Sequence, residues 1–480
     1  MRLDRLLDDV EVLDLAGDPA TDVMDVTYSS AAARAGSLFC CLRGLRSDGH
    51  AHAPAAVEGG AVALLVDRDV DVARPVAQVR VPDTRVAMAP IAAAFHGYPS
   101  KKLDVVGTTG TNGKGTTTML VRSILEHAGR PTGILGTMNS ARTTPEAPDL
   151  QASLAGFAAE GKVAAAIEVS SVGLASHRVD AVSFAVGIFT NLSVDELAIH
   201  GSMDAYFAAK ATLFERGRTA VGVVNADDEW GRRLLDRPSI EMRPYSLSDA
   251  RDLDVRVGSS TFSWRGERTV LPLDAEYNVM NALAAMTAAE VLGVAADVAA
   301  GAMSSIEPLA GHGDVVDEGQ GFRVVVDFAH TAGALAAVLA ASRRAAAPGG
   351  RVIAVFGCGG DRDPGRRAPM GEAASTHADV VIVTSDNPRT EDPLAIIGAV
   401  VDGARGAVDG GRATTDVRVV PDRRAAIAEA VDEARDGDVV VIAGKGHETG
   451  QIVGTEVLPF DDHVVAREAL ANRGYRGGSA

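Results

Sequence analysis

The chain has 480 residues, a formal net charge of -18, 46% hydrophobic residues and three cysteines. That length is too great for a single hydrophobic core and predicts about three domains, while the acidic balance, with no basic run, excludes a nucleic-acid footprint. No long uncharged apolar run offers a membrane span, and Cys40, Cys41 and Cys358 form no metal-ligand spacing, which predicts buried thiols in a soluble, cytoplasmic protein.

The N-terminal stretch MRLDRLLDDVEVLDLAG is acidic and amphipathic and lacks the apolar core of a signal peptide. Short strand-like runs, GSLFCCL and AVALLV, alternate with helical stretches and predict a small α/β domain over residues 1–100. HGYPSKKL reads as the linker that follows. DVVGTTGTNGKGTTTML, residues 104–120, then reads as an apolar strand, a glycine-rich turn and the start of a helix. Glycines leave backbone N–H groups free to approach phosphates, and the helix N-terminus favours an anion beside Lys114 and the hydroxyl of Thr116. The strict phosphate-loop pattern is broken twice, by Thr108 in place of its first glycine and by Gly115 directly after Lys114.

The apolar runs AAAIEVSS, FAVGIFTNL and TAVGVVNADD end in polar residues and predict a doubly wound, largely parallel sheet in a central ATPase-like domain over 101–313. Glu168 falls at a strand end, where a carboxylate could serve Mg²⁺ beside a bound nucleotide. Asp195, Glu196 and His200 follow, and then Lys210 within YFAAKATLF, an otherwise apolar helical stretch. A lysine there either snorkels or pairs with a carboxylate, or, once desolvated, exposes a nucleophilic amine. SIEPLAGHGDVVDEGQG reads as a less ordered boundary. Beyond it FRVVVDFAH, RVIAVFGC, DVVIVTSD and DVVVIAGKG predict four strands of a Rossmann-like α/β domain over 314–480. Ligands of open α/β sheets bind beyond the carboxyl ends of the strands. Those ends carry Arg362, Asp386, Asn387, Arg389 and Glu448, a mixed set suited to a zwitterion, since guanidinium groups grip a carboxylate and acidic groups receive an ammonium.

GTNGKGTTT, EVSS…HRVD, FTNLS…H…YFAAKATLF, NVMNALAA, DFAHT, GCGGDRDPG, DNPRTEDP and GKGHE occur in the order found in the Mur ligases, and the chain resembles that family over nearly its whole length. SSAAARAGSLFCCLRGLRSDGH resembles the family's uridine-binding first domain. The loop is shared with folylpolyglutamate synthases; DNPRTEDP is more specific and resembles the branch that selects diaminopimelate. The resemblance implies an ATP-dependent, ADP-forming ligase of peptidoglycan precursor synthesis. It would join diaminopimelate to UDP-MurNAc-L-Ala-D-Glu through an acyl phosphate. Gly110, Thr111, Asn112, Gly113, Lys114, Gly115 and Thr116 would hold the ATP phosphates, with Asn281 and Asp327 completing the nucleotide site. Lys114, Glu168 and Lys210 would be catalytic. Thr116, Glu168, Glu196 and Lys210, the last as a carbamate, would serve Mg²⁺. Arg362, Asp386, Asn387, Pro388, Arg389, Gly444 and Glu448 match the diaminopimelate contacts. Ser30 matches a uridine contact, and Thr143, Thr144, Ser170, Ser176 and Arg178 stand at positions that hold the UDP-linked peptide. The expected partners are these small molecules alone, for a monomer with no nucleic acid or membrane.

The chain departs from the family at Glu196, in place of a metal-ligand histidine, and at Val172, in place of the histidine after EVSS. Ser176 replaces a glutamine, Arg142 stands where an asparagine can occur, and His312 replaces an arginine. These changes gather on the metal and acceptor side, while the amino-acid pocket matches throughout. Three readings stay open at this point: the diaminopimelate ligase, a relative joining a diamino acid to another carboxylate, and a relative without catalysis.

Overall fold

The computed structural model describes residues 1–44, 47–140, 142–236, 238–256, 258–273, 275–306, 311–411 and 415–476. They divide into two compact units. One comprises Met1–Asn191, Phe207–Tyr245 and Ala284–Ala299; the other comprises Leu192–Tyr206, Ser246–Leu283 and Ala300–Ala480.

The first unit contains two sheets. The smaller runs Asp14–Ala16, Ala77–Arg80, Ala63–Val66, Ser37–Cys40, Asp25–Thr27 in spatial order, parallel except for the first pair. Its inner strands SLFC and ALLV are buried at every position, as strands covered on both faces must be. Cys40 and Cys41 are buried free thiols, and burial pushes Cys41 up to about 12. The helix Thr84–Phe95 starts where the Asp83 carboxylate accepts from the N–H groups of Arg85 and Val86, satisfying two otherwise orphaned donors.

The larger sheet is parallel throughout, in the order Glu241–Tyr245, Thr219–Asn225, Phe184–Phe189, Asp104–Thr109, Ala164–Glu168, Thr132–Leu135. Asp104–Thr109 lies between Ala164–Glu168 and Phe184–Phe189. The glycine-rich turn therefore leaves the sheet with Glu168 on one flank and Thr190 and Asn191 on the other, in the crevice where strand order reverses.

The second unit has an antiparallel three-stranded sheet, Arg251–Arg256, Ser259–Trp264, Glu267–Leu271, which the sequence analysis did not anticipate. Its main sheet runs His312–Val316, Arg323–Asp327, Val439–Ala443, Val352–Phe356, Val380–Val383, Asp416–Val419, antiparallel only at the first pair. His312–Val316 lies within the stretch expected to be irregular: HGDVV has only two apolar residues and pairs as an edge strand, where one face can stay wet. The side chain of His312 lies outside the described residues. Three central strands, VVVIA, VIAVF and VVIV, are wholly buried, and each releases its chain at the same carboxyl rim. Beneath that rim Arg423 grips Asp462 through Nε and Nη2, at 2.8 and 2.7 Å, and also donates to Ala443 O at 2.9 Å. Both side chains are fully buried. Removing either partner strands a buried charge, at a cost of about 3–5 kcal/mol.

Candidate functional site

The turn after Asp104–Thr109 is shaped by glycine at two points. Gly110 has φ +152°, and a Cβ there would collide with Thr190 Oγ1; Gly113 caps the helix Lys114–His127 with φ +81°. Both are conformations that a side chain resists. Asn191 clamps the turn from the neighbouring strand end: its O accepts from Thr111 N at 2.8 Å, its Oδ1 from Asn112 N at 3.0 Å, and its Nδ2 donates to Asn112 O at 3.1 Å. Thr190 Oγ1 donates to the same carbonyl at 2.7 Å. Lys114 Nζ folds back onto Gly110 O at 3.0 Å and Thr111 O at 2.9 Å, and Lys210 Nζ, buried, donates to Gly110 O at 2.8 Å. Two ammonium groups thus meet on one loop carbonyl, at a helix N-terminus already favourable to anions.

Glu168 is buried at its strand end; its Oε1 accepts from Thr137 N at 2.9 Å. Burial raises its carboxyl above the usual range, and Lys114 pulls in the opposite direction. Gly136 keeps its place without a side chain, since a Cβ there would run into Glu168 Oε1, and a Cβ at Gly115 would stand 3.6 Å from the same oxygen. Thr116, in the first turn of the helix, is also buried. Among the described residues no three His, Cys, Asp or Glu side chains gather to hold a metal alone. A hydroxyl and one carboxylate beside a glycine-rich turn at a helix N-terminus fit a hard cation that arrives with polyphosphate and keeps much of its water, as Mg²⁺ does.

Behind Glu168, Thr144 Oγ1 donates to Glu168 O at 2.9 Å and accepts from Ser170 N at 2.9 Å. Ser170 Oγ caps the helix Ser171–Ala175 by accepting from Gly173 N at 3.0 Å, and Ser176 follows that helix, partly exposed. Arg178 Nη1 donates to Thr144 O at 3.0 Å, and its Nη2 pairs with buried Glu146 at 2.9 Å. Arg142 and Arg85 reach the same carboxylate at 3.3 and 3.4 Å. Burial lowers the Arg178 guanidinium from its usual value, against the opposing pull of Glu146. Thr143 shares a 3.1 Å hydroxyl contact with Thr137. Ser30 starts the turn Ser30–Ala32 in the smaller sheet's domain. All these residues belong to the first unit.

In the second unit the three strand ends converge. Asn387 Nδ2 donates to Glu448 Oε2 at 2.8 Å, Arg389 Nη1 to Gly360 O at 2.8 Å, and Gly360 N to Asn387 O at 2.9 Å. Arg389 takes a left-handed backbone, φ +53°, and bridges to Val453 in the hairpin Gly450–Val453/Glu456–Pro459. Pro388 O accepts from Glu391 N at 3.1 Å, closing that turn. Asp386 is buried; its Oδ1 accepts from Asn387 N at 2.6 Å. Burial holds its carboxyl above the usual range, with Arg423 and Lys445 pulling it down. Burial also lowers the Arg362 guanidinium, and the neighbouring cations Arg389 and Arg366 add to the effect. For Glu448 burial acts upward, but Lys445 and Asn387 outweigh it and hold the carboxyl below its usual value. Gly444, at φ +114°, leaves 2.6 Å between a hypothetical Cβ and Asp386 Oδ2.

Glu196 belongs to this unit, within Leu192–Tyr206, and is left-handed at φ +52° before the helix Leu197–His200. Its carboxylate contributes to the field at Arg362. Beside it Asp195 pairs with Arg366, and Ala198 N donates to Asp363 Oδ2 at 3.4 Å. Asn281, in the helix Glu276–Val291, and Asp327, at the end of Arg323–Asp327, are buried in the same unit. Asp327 Oδ1 accepts from Ala329 N at 2.7 Å. The residues named from the sequence thus fall into two groups, and the expected metal set is divided, with Thr116, Glu168 and Lys210 in one unit and Glu196 in the other.

Sequence reasoning passed over Asn191, Thr137, Glu146, Lys445 and Gln451. Asn191 had a usable signal in its place directly after a strand, as did Glu146 in following the threonine pair. Gln451, whose Nε2 donates to Asp386 O at 2.6 Å, had none.

Comparison with known proteins gives three family matches along the chain: Mur ligase family, catalytic domain, over residues 23–96; Mur ligase middle domain, over 108–289; and Mur ligase, glutamate ligase domain, over 311–446. The UDP-N-acetylmuramoyl-L-alanyl-D-glutamate–2,6-diaminopimelate ligase of Streptomyces coelicolor is 42% identical across 95% of this chain and 94% of that protein. The ligase of the same name from Syntrophomonas wolfei is 39% identical across 98% and 100%. A solved structure of such a ligase is similar at 30% identity and TM-score 0.66, covering 98% of this chain and 99% of that one. The MurF ligase of Thermotoga maritima in complex with ADP shares the fold at 18% identity and TM-score 0.64, covering 88% and 94%.

Proposed function

Because the chain belongs to the Mur ligase family, we propose that it is the ATP-dependent, ADP-forming ligase that joins diaminopimelate to UDP-MurNAc-L-Ala-D-Glu in peptidoglycan precursor synthesis. The observation that carries this reading is the cluster of Arg362, Asp386, Asn387, Arg389, Gly444 and Glu448 at one sheet rim. It combines donors for a carboxylate with an acceptor for an ammonium, on a chain whose relatives bear that activity in their names.

A carboxylate and an amine do not condense in water until one carboxylate oxygen becomes a leaving group. In our reading the acceptor carboxylate takes the γ-phosphoryl of ATP, releasing ADP, and the amine then attacks the acyl carbon, releasing phosphate and a proton. The turn Gly110–Thr116 would hold the phosphates by its backbone N–H groups, and Lys114 would neutralise charge on the transferring group. Asn281 and Asp327 would complete the nucleotide's surroundings. Mg²⁺, when bound, supplies charge neutralisation between phosphate oxygens; Thr116 and Glu168 would hold it, with Lys210 as a carbamate and Glu196 as further oxygen donors. Thr143, Thr144, Ser170, Ser176, Arg178 and, at the uridine end, Ser30 would hold the acceptor. We assign residues 1–100 to the uridine side, 101–313 to ATP and 314–480 to the amino acid, in a cytoplasmic monomer.

Phosphate release measured with each substrate omitted in turn tests the reading. Release that requires ATP, the UDP-linked dipeptide and diaminopimelate together, with lysine a poor substitute, is expected. Release indifferent to the amino acid would overturn it.

A further inference from the structure

Lys445 follows the strand Val439–Ala443 and has no exposed surface. A buried ammonium must place all three of its hydrogens on internal acceptors. Lys445 Nζ donates to Asn387 Oδ1 at 3.1 Å, Glu448 Oε2 at 2.9 Å and Gly450 O at 2.7 Å. It is saturated by protein and has nothing left for a substrate.

Its effect is on the polarity of its neighbours. Asn387 Oδ1 also accepts from Ile452 N at 2.9 Å. An ammonium and a backbone N–H can only donate, so the carboxamide atom facing both must be the oxygen. The amide nitrogen is thereby turned to Glu448, donating one hydrogen to Oε2 at 2.8 Å; its second has no acceptor among the described residues. Oε2 is occupied by two donors, while Oε1 of the partly exposed Glu448 has none among the described residues. An N–H donor and a carboxylate acceptor therefore stand side by side next to Arg389.

We propose that Lys445 is a positioning residue that sets this donor–acceptor order, making the pocket complementary to an amino-acid centre carrying a free carboxylate and a free ammonium. An ammonium held on Glu448 has no lone pair for attack. The centre seated here is therefore the unreacting end of a substrate with two such centres. This rests on the diaminopimelate reading above.

The test measures kcat and KM of Lys445→Met and Lys445→Gln with diaminopimelate, lysine (lacking the second carboxylate) and 2-aminopimelate (lacking the second amine). The Met variant removes the donor and keeps the length. Its KM for diaminopimelate should rise roughly tenfold or more, the equivalent of one lost hydrogen bond, with kcat and the KM for ATP little changed. The preference for diaminopimelate over both analogues should shrink by a similar factor. The acid limb of kcat/KM for diaminopimelate should move to higher pH in the Met variant, because Glu448 loses the cation that keeps it ionised. The Gln variant, still a donor, should fall between. A uniform loss of kcat for all three amino acids, or an unchanged preference, would overturn the inference. Where the Met variant lacks a cooperative melt, an unchanged preference in the Gln variant would do so. A wild-type protein that turns over none of the three would instead remove the reading beneath it.

Discussion

Asp195 and Arg366, 171 residues apart in sequence, meet through a 2.6 Å ion pair with both side chains largely buried. The segment Leu192–Tyr206 thereby joins the same compact unit as the cluster at the strand-end rim, and Glu196 is carried into the field of Arg362. Arg366→Gln strands the Asp195 carboxylate and should destabilise the protein by roughly 2–3 kcal/mol. Adding Asp195→Asn should recover part of that loss, because the stranded charge is gone. Denaturant unfolding of the two single variants and the double closes the cycle; additive losses would mean the pair carries no coupling.

Glu168 is a carboxyl group in a buried position. Its folded carboxyl is raised by burial, so folding favours the protonated form. The stability this contributes is complete below the unfolded carboxyl's pKa and is lost as pH rises through the folded value. Glu168→Gln should therefore melt higher than wild type at neutral pH without nucleotide, with the difference shrinking toward acid. On its proposed role at Mg²⁺, its ligase rate should fall roughly 10- to 100-fold. Calorimetry across pH and a phosphate-release assay measure the two halves.

Gly444→Ala places a methyl 2.6 Å from Asp386 Oδ2 on a backbone with φ +114°. About 1–3 kcal/mol of strain is expected at such a position, delivered to the residue that precedes Asn387. KM for the amino acid should rise while nucleotide affinity stays near wild type, which steady-state kinetics and calorimetric ADP binding separate.

Lys210→Arg keeps a cation near Gly110 O but cannot carry a carbamate. On the proposed carbamate, ligase rate should drop roughly 10- to 100-fold, and removal of dissolved carbon dioxide should slow the wild type without affecting the variant. Equal sensitivity of both proteins would exclude the carbamate.

The phosphate-type turn was readable because its constraints are local: glycines at fixed offsets, then a lysine and hydroxyls, between an apolar strand and a helix. The convergence of Arg362, Asp386, Asn387, Arg389 and Glu448, proposed above to hold the amino acid, was readable because open sheets collect the residues after parallel strands at one rim. Lys445 was hidden for the opposite reason: a lysine at a strand end reads as solvated, and its burial depends on acceptors 58 residues away at Asn387 and five away at Gly450. The edge strand His312–Val316 was missed because HGDVV is half polar and finds its place only by pairing with Arg323–Asp327. The three-stranded sheet escaped because two of its inward positions are filled by the buried hydroxyl residues Ser260 and Thr269, which interrupts the apolar alternation.

The carbonyl of Gly110 is already spoken for. Lys114 and Lys210 both rest on it, and Lys114 holds Thr111 O as well. Both lysines are thus tied to the turn's own backbone, and the role proposed for Lys114 on a transferring phosphoryl group asks it to leave two peptide oxygens. In that reading the same two oxygens would receive Lys114 again as the spent nucleotide leaves, which lowers the cost of release.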